Sequence, residues 1–245
     1  MDLVIDVGNT LAKLAVFNPE GLMLKRFTVS LLGLTDKIKE LKALYSDLKY
    51  CIVSSVGGIE NIDFAFLKNN FQLLHLTSES PVAFINKYET PRTLGVDRMA
   101  LVSAVHVEYI KQNVLVIDAG TCLTYDFINA NGEYFGGAIS PGLTMRYKAM
   151  HTFTEKLPLL EPDKDISIVG SSTAKAMHSG VHHGMAFEID GYINAYRKQY
   201  PNLTVVFTGG DADFLRDIIK NHIFVNTNLL LNGLFTILNY NKDIS

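Results

Sequence analysis

Tryptophan is absent from this 245-residue chain, and cysteine nearly so. The two cysteines, Cys51 and Cys122, lie far apart, each in or beside an expected strand, and read as reduced small hydrophobes and not as a disulfide. No apolar run approaches the roughly 18 residues of a membrane span. The first residues carry no basic segment followed by an apolar one, so the expected location is cytoplasmic, with no membrane partner. Charge of one sign is also lacking: 22 Lys and Arg stand against 25 Asp and Glu, for a net −3. Without a long basic run to track a phosphate backbone, nucleic acid is not an expected partner.

Several catalytic signatures are missing too. There is no G-x-x-x-x-G-K-S/T loop and no G-x-G-x-x-G turn, which disfavours Walker and Rossmann phosphate sites. There is no G-x-S-x-G elbow, and neither cysteine sits in a nucleophile motif, so hydrolase chemistry loses ground. His178 and His182 share a helical face at i, i+4, but without an H-E-x-x-H pattern or a thiol set they read as packed or surface histidines.

What the chain does contain is a repeat. Leu3-Val4-Ile5-Asp6-Val7-Gly8-Asn9-Thr10 returns as Leu115-Val116-Ile117-Asp118-Ala119-Gly120-Thr121, and each copy is followed by Asn-x-x-Gly. Asp6 to Asp118 and Gly8 to Gly120 are offset by 112, whereas Thr10 to Thr121, Asn18 to Asn129 and Gly21 to Gly132 are offset by 111. One residue is therefore missing inside the second glycine turn, where loop length is most tolerant. Each copy reads as a buried strand ending in Asp, a tight turn and a second strand. With 48% hydrophobic residues, the chain can bury two cores, and duplication into two α/β domains is expected.

Around the repeat, strands are expected at 3–7, 13–17, near 23–29, 51–55 and 72–76. A helix is expected over 35–48, capped by Thr35 or Asp36, with a helix-like segment after Ser54-Ser55-Val56-Gly57-Gly58 running to Asn69. Residues 77–95 read as a long irregular stretch, which is often functional. A helix follows from Asp97 to before Asn113. The second half repeats the strands at 123–128 and 133–138, then expects helices over 143–153, 171–200 and 229–240 and a buried strand at 203–207.

Four sites could carry chemistry. Asp6, Gly8, Asn9 and Thr10 end a strand in a glycine turn whose N–H groups and short polar side chains can face phosphate oxygens, and Asp6 can hold hydrated Mg²⁺. Asp118 repeats the arrangement. Thr208-Gly209-Gly210-Asp211 opens a helix where glycine lets a flat ligand approach the backbone. Gly95-Val96-Asp97-Arg98 sets a carboxylate beside a guanidinium: Asp97 reads as a helix N-cap and as an acceptor for a hydroxyl proton, two roles that can hold together, with Arg98 gripping an anion.

Together these residues resemble the type III pantothenate kinases of the acetate and sugar kinase, Hsp70 and actin superfamily, nearly end to end. Asp6 to Lys13 resembles the family's first phosphate motif, Gly95 to Arg98 its substrate motif, Asp118 to Thr121 its second phosphate motif, and Thr208-Gly209-Gly210 its adenosine-side motif; Ser140-Pro141-Gly142 and Leu157-Pro158 also fit. The resemblance implies two ribonuclease-H-like domains, 1–112 and 113–245, with a nucleotide cleft between them, and a homodimer. It implies transfer of phosphate from ATP to pantothenate, giving 4′-phosphopantothenate, the first step toward coenzyme A. It further implies that Asp97 is the proton acceptor; that Asp6, Val7, Gly8, Asn9, Thr10, Leu11, Ala12, Lys13 and Thr121 bind ATP; and that Tyr88, Gly95, Val96, Asp97, Arg98 and Thr173 bind pantothenate. Asp118 is implied as ligand of a monovalent cation, K⁺ or NH₄⁺, beside Mg²⁺. Cys122 departs from the small residue many relatives carry there, which predicts sensitivity to thiol reagents. Two alternatives share the twin hairpins: another small-molecule kinase of the superfamily, and a non-catalytic nucleotide-binding regulator.

Overall fold

A computed structural model of the chain describes residues 1–55, 62–164 and 166–242. In chain order the elements are β1 (Asp2–Val7), β2 (Leu11–Phe17), β3 (Met23–Ser30), α1 (Leu34–Leu44), β4 (Tyr50–Ser55), α2 (Phe64–Asn70), β5 (Gln72–His75), β6 (Ile85–Asn86) and α3 (Val96–Glu108). They continue as β7 (Val114–Ala119), β8 (Cys122–Ile128), β9 (Glu133–Pro141), α4 (Leu143–Thr152), α5 (Thr173–Gln199), β10 (Thr204–Thr208), α6 (Ala212–Leu215), β11 (Phe224–Val225) and α7 (Leu229–Lys242). The helix-like segment expected after Gly58 and running to Asn69 lies partly outside the described residues.

The chain forms two compact units, Met1–Glu108 with Asn228–Ser245, and Tyr109–Thr227. In the first, five strands run in the order β3-β2-β1-β4-β5, with β1, β2 and β3 antiparallel and β4 and β5 parallel to β1. In the second, the order β9-β8-β7-β10-β11 repeats that plan: β7, β8 and β9 are antiparallel, and β10 and β11 run parallel to β7.

The repeated sequence produces repeated turns. Gly8 donates its N–H to Leu11 O at 3.0 Å, whereas Gly120 donates to Cys122 O at 3.0 Å, a turn one residue shorter. The offset in the sequence is this shortening. Downstream, Asn18 Oδ1 accepts from Leu22 N and Asn129 Oδ1 from Glu133 N, while Gly21 (φ 85°) and Gly132 (φ 75°) adopt the left-handed conformation that glycine tolerates.

Strand β1 is buried along its whole length because both of its faces are covered. Leu3, Ile5 and Val7 pack with Ile38 and Leu41 of α1 and Leu67 of α2; Val4, with Ala15 and Ile52, packs with Ala100 of α3 and Leu234 and Ile237 of α7. Strand β7 places Leu115, Ile117 and Ala119 against Leu143 of α4 and Val181, Met185 and Ile189 of α5.

Two expectations need correction. Helix α7 was expected within 113–245 but packs in the first unit: Phe235 stacks on Phe17 with ring centroids 4.3 Å apart, and Lys242 Nζ pairs with Asp2 at 2.7 Å. Periodicity shows that a helix has an apolar face, but not which of two sheets receives it. Helix α1 begins at Leu34 after Gly33 with no side-chain cap and stops at Leu44, so neither Thr35 nor Asp36 caps it. The two-residue strands β6, within the stretch expected to be irregular, and β11 were not expected; most of the remaining elements fall within a few residues of expectation, with β9 extended to Pro141.

Candidate functional site

In the first unit the chemistry gathers at the end of β1. Asp6 is paired in register with Lys13 of β2 on one side and Ser54 of β4 on the other. Partners in register on neighbouring strands share a sheet face, so carboxylate, ammonium and hydroxyl are neighbours. Burial pushes the Asp6 carboxyl up to about 6; Asp97 adds to the rise, and Lys13 and Ser54 oppose it. Ser54 Oγ is buried and makes no hydrogen bond of good geometry, yet its nearness favours the ionised Asp6. Sequence reasoning missed Ser54; its signal was a polar residue ending the apolar run Cys51-Ile52-Val53.

Asp97 reaches this place from α3. The helix starts at Val96, so Asp97 lies in its first turn and is not its N-cap, and its Oδ1 accepts the N–H of Arg98 at 2.8 Å. Gly95 makes the arrangement possible, since a Cβ there would stand 2.4 Å from Asp97 Oδ1. Arg98 is buried, and its guanidinium lies 5.5 Å from the centre of the Tyr88 ring, within cation–π range. Tyr88 is itself fixed by its N–H bond to Asn86 Oδ1 at 2.9 Å. A half-exposed carboxylate, a buried guanidinium and an aromatic ring thus occupy one region. Val7 and Ala12 are buried, Gly8 and Lys13 half-buried, and Asn9, Thr10 and Leu11 exposed at the turn.

The second unit carries the matching turn. Asp118 is the half-buried next-to-last residue of β7, and Ala119 leads into Gly120 and the exposed Thr121. Two other segments close on this turn. Gly209 (φ 104°) has no room for a side chain, because a Cβ would lie 2.3 Å from Ala119 O and 2.5 Å from Asp118 Oδ1; Asp211 N donates to Ala119 O at 2.9 Å. Gly142 donates to Thr121 O at 3.2 Å, and a Cβ on it would stand 2.2 Å from Gly120 O. The Ser140-Pro141-Gly142 and Thr208-Gly209-Gly210 motifs are therefore both close-approach sites on one turn. Burial raises the Asp211 carboxyl above its ordinary range. Thr173 opens α5 with its side chain exposed.

The histidines have packing partners. His178 Nδ1 bonds the hydroxyl of Tyr147 at 2.9 Å, and buried His182 meets Phe214 edge-on, its charged form disfavoured by burial. Among the described residues no group of three or more His, Cys, Asp or Glu could hold a metal. Both cysteines are free thiols, Cys51 buried and Cys122 half-buried. Among the described residues no helix is long and apolar enough to cross a membrane.

Known proteins resemble the chain along nearly its whole length. A family model described as type III pantothenate kinase matches residues 2–195. The type III pantothenate kinase of Flavobacterium johnsoniae is 44% identical over 243 residues, covering 99% of each chain. That of Phocaeicola vulgatus is 44% identical over 245 residues, covering 100% of each. Among solved structures, a ROK family glucokinase from Streptomyces griseus in complex with glucose and AMPPNP superposes with a TM-score of 0.54 at 14% identity, covering 98% of each chain. That likeness shows the fold: two duplicated ribonuclease-H-like domains of the actin-like ATPase type.

Proposed function

The chain belongs to the type III pantothenate kinase family, and from its residues we propose how it works. It transfers the γ-phosphoryl group of ATP to the alcohol group of pantothenate, giving 4′-phosphopantothenate and ADP, the first step of coenzyme A biosynthesis.

Asp97 is the general base. The pantothenate hydroxyl oxygen forms a bond to the γ-phosphorus, the bond from that phosphorus to the β–γ bridging oxygen breaks, and the hydroxyl proton passes to the Asp97 carboxylate. The observation that supports this role is the setting of Asp97: half-exposed at a helix start, close enough to buried Asp6 to raise its pKa, and next to the buried guanidinium of Arg98. Arg98 offsets the pantothenate carboxylate, Tyr88 orients Arg98, and Gly95 and Val96 shape the turn. Thr173 is a further pantothenate contact. Phosphoryl transfer through a loose transition state depends on such positioning and charge neutralisation more than on covalent help.

The segment Asp6 to Lys13 binds the ATP phosphates through the first glycine turn, with Lys13 as a point charge, and Thr121 contacts nucleotide from the second. Hydrated Mg²⁺ suits Asp6, because a buried carboxylate beside Asp97 gains from a hard cation that brings its own water. When bound, that ion would supply charge neutralisation on the phosphates. Asp118, with the backbone carbonyls of its turn nearby, offers the all-oxygen set a monovalent cation such as K⁺ or NH₄⁺ accepts. The enzyme works in the cytoplasm as a homodimer, as its family resemblance implies.

The test is a transfer assay with purified protein, Mg-ATP and either K⁺ or Na⁺, offering pantothenate, glycerol, acetate and hexoses in turn. Phosphorylation of pantothenate alone, faster with K⁺, is the expected result. Phosphorylation of a sugar in preference to pantothenate would defeat the substrate assignment.

A further inference from the structure

The second glycine turn is held from behind by a charged cluster that no step of the reaction uses. Arg146 of α4 donates Nε to Pro141 O at 2.8 Å and Nη2 to Ser140 Oγ at 2.9 Å, the last two residues of β9. The same Nη2 pairs with Glu188 Oε2 of α5, and Glu188 Oε1 accepts the hydroxyl of Tyr125 of β8 at 3.1 Å. Tyr125 is fully buried and stacks on Tyr192 with centroids 4.2 Å apart. Burial and the Glu188 carboxylate raise its phenol, so it remains a donor at any working pH. Both charged side chains are about four-fifths buried, with exposures of 20% and 22%.

We propose that Arg146 and Glu188 are positioning residues for the nucleotide-binding turn at Gly120-Thr121, acting through the end of β9. The clamp fixes Ser140 and Pro141; the next residue, Gly142, bonds Thr121 O and lies so near Gly120 O that it admits no Cβ. A shift at Pro141 is therefore passed to Gly142 and to the turn. Arginine is required for its geometry: one planar fork serves three acceptors at once, which a lysine ammonium on a single stem cannot do in the same directions. The inference rests on the assignment of Thr121 to nucleotide contact, and the comparator below separates the two.

Arg146→Ala, Arg146→Lys, Glu188→Gln and Thr121→Val are made in the full chain, and KM for Mg-ATP, KM for pantothenate, kcat and Tm are measured for each. Both Arg146 variants are expected to raise KM for Mg-ATP by about 5- to 30-fold while KM for pantothenate stays within about twofold, with Glu188→Gln smaller in the same direction. If Arg146→Ala folds poorly, Arg146→Lys carries the reading. Wild-type KM for Mg-ATP in Arg146→Lys, with Thr121→Val raising it, overturns the clamp alone. Equal rises for both substrates in step with a lowered Tm overturn it as well, since that is loss of fold. If Thr121→Val leaves KM for Mg-ATP unchanged, the nucleotide reading of Thr121 fails and takes the clamp's role with it.

Discussion

Asp6→Asn is expected to make the free protein more stable while abolishing its activity. Burial and neighbouring Asp97 raise the Asp6 carboxyl from 3.8 to about 6. Between those values the folded chain holds a proton that the unfolded chain has released, so stability falls as pH rises through that window and stays lowered above it. At about 1.4 kcal/mol per unit, the cost of the ionised carboxylate reaches about 3 kcal/mol at pH 7.5 and only about 1 kcal/mol at pH 4.5. The neutral amide removes that cost, giving a gain of about 3 kcal/mol at the higher pH that shrinks to about 1 at the lower. Urea unfolding at both pH values, without nucleotide or Mg²⁺, measures the gain; the chain has no tryptophan, so far-UV circular dichroism is the signal. A variant no more stable than wild type at pH 7.5, or a gain of equal size at both pH values, would refute the reasoning. The strain is placed where the chemistry needs a carboxylate, a trade of stability for function.

Other outcomes follow from single contacts. Gly233→Ala on α7 would place a Cβ 1.8 Å from the Ala100 carbonyl oxygen, so it is expected to lower Tm markedly, with a denaturation midpoint equal to wild type counting against the α3 and α7 packing. Modification of half-buried Cys122, which flanks the second glycine turn, is expected to stop ATP turnover and to be slowed by bound ATP; unchanged turnover after stoichiometric labelling would remove the cysteine from the site. Replacing Arg98 with Ala is expected to raise KM for pantothenate at least tenfold, the order of a charged hydrogen bond, and to leave KM for Mg-ATP near wild type.

The duplicated hairpins were legible because a strand, a glycine turn and an Asn-x-x-Gly loop are local: Gly21 and Gly132 need a positive φ, and the missing residue shows as the shorter Gly120 turn. The substrate turn was legible as a residue set, but Asp97 reads equally as a cap until α3 is seen to start at Val96. Contacts between distant elements were not legible. Ser54 meets Asp6 only through strand register, Gly142 and Gly209 converge on one turn from segments about 70 residues apart by sequence number, and α7 returns to the first sheet after the whole second unit. Local periodicity carries none of those pairings.

The most direct test of the account is single-turnover transfer of labelled γ-phosphate to pantothenate by wild type and Asp97→Asn, with pantothenate binding measured on both. The account expects 4′-phosphopantothenate from the wild type and a transfer rate about 10²- to 10⁴-fold lower in the variant, with pantothenate affinity changed only a few-fold. Transfer by Asp97→Asn at nearly the wild-type rate would contradict it.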